Sequence, residues 1–200
     1  VLLSDRVLVY LNQDGATPFT NSAARSIELP PGFLRGTEGA TGFAAGDFNR
    51  DGALDLAVAA FASRGQTVRV QLLAGQKTAG EFAVVPDLLS FAPEVESTDS
   101  ASAALAESGP VILAADLDGD GALDLIATHP TRPRLACFRS QARTKPARLT
   151  PNLFRPANLP ALPAAASALS AADFNGDGAV DLAVLHTARN LLSVFFAGKR

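Results

Sequence analysis

The stretch Asp47–Leu56 reads DFNRDGALDL, and near copies recur as DLDGDGALDL from Asp116 and DFNGDGAVDL from Asp173. Each copy sets an oxygen-bearing side chain at positions 1, 3, 5 and 9 of a ten-residue loop, with Gly at position 6. Carboxylates and amides on alternate residues of a tight turn converge on one point, and the Gly permits the bend that brings them there. Ca2+ accepts several oxygens in loose geometry, whereas Mg2+ demands an octahedron and retains its waters, so Ca2+ is the expected occupant of three sites. A single Asp-Gly turn between strands is most often a plain hairpin turn. Three copies with Asp at positions 1, 5 and 9 argue against that simpler reading. An EF-hand needs Glu at position 12 and flanking helices. Position 12 here is Val58, Ala127 and Val184, which excludes it.

The segments around the loops read as strands. Short apolar runs precede them at Gly42–Gly46, Val111–Ala115 and Ser167–Ala172. Leu-Ala-Val or Leu-Ile-Ala follows each loop, then a turn, then a third apolar run at Val68–Leu73, Leu135–Phe138 and Leu191–Phe196. A fourth run falls at Phe82–Val85 and Leu153–Pro156. Runs this short, bounded by Gly, Pro, Asn and Asp, favour strands over helices. The loops start 69 and then 57 residues apart, too long for a nonapeptide calcium roll and near the length of one propeller blade. The expected fold is therefore all-β: a fragment of a β-propeller made of four-stranded antiparallel blades, with the metal loop joining the first and second strands.

On this reading residues 40–88 and 111–158 are whole blades and 167–200 is an incomplete one. Residues 1–30, with RVLVYL at Arg6–Leu11 and a second run in Thr17–Leu29, are the C-terminal half of an earlier blade. Residues 90–110, polar and rich in small residues, form an inter-blade insertion. Both ends are expected to fall mid-blade. The partners expected there are the remaining blades or further copies of the chain, because unpaired strand edges template pairing.

The net charge of -3 conceals an uneven distribution. The loops hold ten of the twenty acids and one base, Arg50, leaving 16 bases against ten acids elsewhere. From Leu125 to Ala172 there is no acid, while Arg132, Arg134, Arg139, Arg143, Lys145, Arg148 and Arg155 supply seven bases. A solvated outer surface explains that block better than a polyanion site does, and no motif or aromatic interleaving points to nucleic acid. One Cys excludes an internal disulfide framework, and no apolar run approaches the length of a membrane-spanning helix. Cys137 reads as a small buried hydrophobe. His129 and His186 fall at the same place in two repeats and lack a third ligand, so they read as polar residues at strand ends.

Three loops of the form D-x-[DN]-x-D-G-x-x-D-[LV] between strands resemble the FG-GAP/VCBS repeat family, the blades of integrin α-subunit-like propellers. The resemblance implies a calcium-binding, extracellular propeller that mediates adhesion or ligand binding. It implies side-chain ligands Asp47, Asn49, Asp51 and Asp55 with the Ala53 carbonyl. The second set is Asp116, Asp118, Asp120 and Asp124 with the Ala122 carbonyl, and the third Asp173, Asn175, Asp177 and Asp181 with the Ala179 carbonyl. The Phe-Gly and Gly-Ala-Pro signatures of the integrin repeats are missing, which favours the bacterial VCBS-like branch. The metals are expected to be structural and the module non-enzymatic, with a protein or carbohydrate ligand on the face opposite the loops. The alternative is an accessory domain of a secreted polysaccharide-acting enzyme, or a lectin-like module for acidic glycans. By carboxylate count, the Asp116 loop is expected to hold its cation tightest.

Overall fold

The computed structural model describes residues 6–10, 24–34, 42–62, 67–91, 109–142 and 148–198. Most of the 90–110 insertion, the turn following Tyr10, and Arg143 and Lys145 of the basic block lie outside the described residues. The architecture is all-β and every strand pairing is antiparallel. Four sheets follow one another along the chain.

The first is a hairpin of β1 (Arg6–Tyr10) and β2 (Ala24–Glu28). The second runs β3 (Gly42–Gly46), β4 (Asp55–Ala62), β5 (Thr67–Gly75), β6 (Phe82–Val84), with β7 (Leu89–Phe91) also on β5. The third is a four-stranded meander of β8 (Ile112–Ala115), β9 (Asp124–Thr128), β10 (Leu135–Ser140) and β11 (Phe154–Ala157). The fourth holds β12 (Ala168–Ala172), β13 (Asp181–His186) and β14 (Leu191–Phe195).

One boundary differs from the sequence reading. Ser90 and Phe91, assigned to the insertion, belong to β7, which pairs with the start of β5 while β6 pairs with its end. The two short strands line one edge of β5, interrupted where Asp87 adopts a left-handed φ of 67°. Leu89 is buried and Phe91 packs against the core, so burial of these apolar side chains draws the chain back to the edge.

The pleat explains how the sheets stack. Successive side chains of a strand point to opposite faces, so a strand buried on both sides divides its residues between two cores. In β4, Ala57, Ala59 and Phe61 enter the core shared with the third sheet, together with Leu125, Phe138 and Phe154. Val58 and Ala60, the intervening residues, pack with Ile27 and Leu29 of the first hairpin. In β9, Leu125 and Ala127 face the second sheet, and Ile126 faces Leu182 and Val184 of the fourth. The first strands of the loop-bearing sheets adjoin one another, β3 beside β8 and β8 beside β12. The β3–β8 contact requires Gly42: a Cβ there would collide with the Pro110 carbonyl oxygen.

Candidate metal centre

All three motif loops lie where the sequence reading puts them, between the first and second strands of their sheets: β3–β4, β8–β9 and β12–β13. Their backbones are held by the same contacts. The carboxylate at position 1 accepts N–H groups from the far side of the turn. Asp47 Oδ1 and Oδ2 accept from Asp51 (3.0 Å) and Gly52 (2.9 Å). Asp116 accepts from Gly119, Asp120 and Gly121 at 2.8–3.1 Å, and Asp173 from Gly176, Asp177 and Gly178 at 2.7–3.1 Å. Position 5 then accepts from the N–H of position 7: Ala53 to Asp51, Ala122 to Asp120, Ala179 to Asp177, at 2.8–2.9 Å. The Gly at position 6 has a φ of 83–87° in every loop, which a side chain would strain. Position 4 is also left-handed, as Gly119 and Gly176 and, against the usual preference, as Arg50 with φ 60°.

Position 9 does something the spacing alone did not reveal. Asp55, Asp124 and Asp181 are buried, and each spans two elements with its two oxygens. One oxygen accepts the N–H of position 2: Phe48 (3.0 Å), Leu117 (3.2 Å) and Phe174 (3.0 Å). The other accepts an N–H at or just beyond the end of the third strand: Gly75, Ser140 and Ala197, each at 2.8 Å. The carboxylate thus ties the loop to a strand far along the chain. Burial pushes the Asp124 carboxyl up to about 6, outweighing the stabilising N–H bonds from Ser140 and Leu117. Burial likewise raises Asp55. Asp173 is exposed and shifts the other way, lowered chiefly by its bond from the Gly178 N–H.

Oxygens of Asp116, Asp118 and Asp120 lie within 4.8 Å of one another, a group that could hold a metal ion. Asp124 is not in that group. The corresponding trios in the other loops contain Asn49 and Asn175, whose amides donate to the position-5 carboxylates of Asp51 (2.8 Å) and Asp177 (3.2 Å). The donors suit a hard cation, being all oxygen, and the convergent carboxylates repel one another unless a positive charge intervenes. Asp118 Oδ1 is buried and accepts no hydrogen bond, as expected of an oxygen left for a ligand. Asp118 Oδ2 meets Arg139 Nη1 at 3.1 Å, an ion pair invisible in the motif itself.

The histidines stand at strand ends as read, His129 directly after β9 and His186 closing β13, and both are buried. His129 is fully buried, edge-to-face with Phe61 of the second sheet (centroids 5.0 Å apart) and with Phe91 (6.3 Å). His186, also fully buried, lies 3.3 Å from the Ala165 carbonyl and 3.1 Å from Ser193 Oγ. Cys137 is buried and free, as expected, and burial raises its thiol to about 11. Two cavities lie beside the second and third sheets. One of about 420 Å³ lies beside the Asp47 loop and includes Asn49, Lys77 and Arg148 in its wall. The other, of about 470 Å³, is lined by Phe91, Arg134, Phe138 and Leu159 on the side of the β9–β10 turn.

Residues 116–184 match a family model described as FG-GAP-like repeat. The match takes in the whole of the second and third motif loops and leaves the first outside it. No curated protein and no solved structure matches the chain. Among the described residues, no helix is long and apolar enough to cross a membrane.

Proposed function

We propose that the chain is part of a calcium-stabilised extracellular β-propeller that serves as a binding or adhesion module, with structural rather than catalytic metals. The observation that carries this reading is the threefold recurrence of one hydrogen-bonded loop, presenting carboxylates at the same place in successive antiparallel sheets. The meandering sheets, their face-to-face stacking and the adjoining first strands fit blades arranged about an axis. The FG-GAP-like match over residues 116–184 supports the same reading. Under it, Asp47, Asn49, Asp51 and Asp55 and their counterparts supply oxygens to three Ca2+ ions, with the Ala53, Ala122 and Ala179 carbonyls at position 7. Calcium replaces mutual carboxylate repulsion with attraction and pins each first-to-second-strand turn.

The ligand side is the face opposite the loops. In a meander the second-to-third turns and the connections between sheets share that face, and connections are where binding residues concentrate. The 470 Å³ cavity lies there, with Arg134 beside an apolar wall, and suits a protein or carbohydrate ligand carrying an acidic group. The test is a binding screen of acidic and neutral glycans and matrix proteins in calcium, with Arg134→Glu as control. Binding lost in the variant while calcium uptake persists supports the assignment; binding unaffected by the variant removes this face from it.

A further inference from the structure

We propose that Arg139 sets the charge of the Asp116 loop and thereby its cation affinity, an inference that rests on reading that loop as a cation site. The last Asp of each motif brings the three loops into register. It accepts the N–H of Gly75, Ser140 or Ala197 at the same 2.8 Å, so these residues are equivalent. The residues one step earlier, Ala74, Arg139 and Phe196, are then equivalent too. Position 3 of the corresponding loops is Asn49, Asp118 and Asn175.

The substitutions go together. Where position 3 is Asn, its amide donates to the carboxylate at position 5, and the third-strand position is uncharged. Asp118 has no N–H to donate and adds a fourth carboxylate. In the same repeat, and only there, the third-strand position is a cation, and Arg139 Nη1 donates to Asp118 Oδ2 at 3.1 Å. The Asp118 side chain is 12% exposed and that of Arg139 35%, so the carboxylate end of the pair is largely shielded from bulk water and the guanidinium charge acts on it at close range. Four carboxylates with one guanidinium carry -3, the same as the three carboxylates of the Asp173 loop, while the Asp47 loop holds three carboxylates with its own Arg50. A second guanidinium is close by: Arg50, from the neighbouring loop, places Nη1 and Nη2 3.4 Å from the point a Cβ on Gly121 would occupy. Counted with Arg139, the Asp116 loop is no more negative than the Asp173 loop, so on this proposal carboxylate count alone does not rank the sites. Asp118 can face the cation with Oδ1 while Oδ2 stays on Arg139.

The experiment is calcium titration by calorimetry on the 200-residue chain, comparing wild type, Arg139→Gln, Asp118→Asn and the double variant. Thermal melts in chelator give the second readout. Arg139→Gln should tighten one site by about tenfold, because a cation beside the cage is removed. It should also lower the melting temperature in chelator, where the Arg139 guanidinium no longer offsets Asp118. The double variant recreates the Asn arrangement and should return both quantities towards wild type. A wild-type chain that takes up no calcium overturns the underlying metal reading. Wild-type uptake with unchanged or weakened affinity in Arg139→Gln overturns the proposal alone. If the single variant does not fold, folding of the double variant supports charge compensation, and its failure to fold assigns Arg139 to packing and overturns the proposal.

Discussion

The Asp116 and Asp173 loops share nearly every backbone contact, yet they sit in different surroundings. Asp116, Asp118 and Asp120 are half-buried between stacked sheets, with Arg139 against Asp118. Asp173, Asn175 and Gly176 are exposed, Phe174 is 48% exposed, and the aligned third-strand residue is Phe196. Positions 1, 5, 6 and 9 therefore encode the shape of the turn, and shape alone survives in either setting. Charge and burial are supplied by residues distant in sequence. Two loops with one geometry can in this way respond differently to the same perturbation.

The largest difference is expected at position 9. Asp124→Ala leaves the N–H groups of Leu117 and of buried Ser140 without their acceptor. Its cost in denaturant unfolding at 1 mM calcium should be about 3–5 kcal/mol. Asp181→Ala breaks the same two bonds, but water reaches Phe174 and its loop, so the cost should be about 1–2 kcal/mol. Equal costs would mean that burial does not separate the loops.

A smaller separation should appear with pH. The folded-state pKa of Asp124 is raised to about 6, so the protonated carboxyl favours the folded state. In chelator that contribution is fully present below the unfolded value near 3.8 and is lost as pH rises through 6, amounting to about 2–3 kcal/mol. Calcium compensates the ionised group, so the stabilisation it confers should be greater at pH 7 than at pH 5. A calcium effect that shrinks between those values would contradict the assigned burial cost. The smallest effect concerns position 4. Gly176→Ala places a side chain where φ is 76° and should cost about 1 kcal/mol in either buffer, as a purely local strain. A much larger loss would show that the exposed loop is less tolerant than its surroundings imply.

Strand positions were legible because apolar runs between Gly, Pro and Asp punctuation survive any sheet arrangement. β3 covers Gly42–Gly46 as read, and β8, β10, β12 and β14 fall within a residue or two of their expected spans. The place of the loops, between the first and second strands of their sheets, was legible from three copies of one spacing. Contacts across long sequence separations were not. Arg139 lies in a stretch of seven bases without an acid, which reads as surface, and its partner Asp118 is 21 residues earlier. An Asp in place of Asn at position 3 was the available signal. His129 was legible as a strand-end residue but its burial was not, because Phe61 and Phe91, which cover it, come from the preceding sheet. The tie from Asp124 to Ser140 was not legible, since nothing in a ten-residue motif reports a strand that follows it.

The central claim is that cations hold these turns, and a thermal melt of the chain in 1 mM calcium, in chelator and in magnesium tests it most directly. A site with a dissociation constant near ~10 µM gains roughly 2.7 kcal/mol at that calcium concentration, or about 5–10 °C for a chain of this size. The account predicts a midpoint highest in calcium, lower in magnesium and lowest in chelator, with the calcium gain reflecting more than one site. An unchanged midpoint across the three buffers would contradict it and leave the loops as hydrogen-bonded turns.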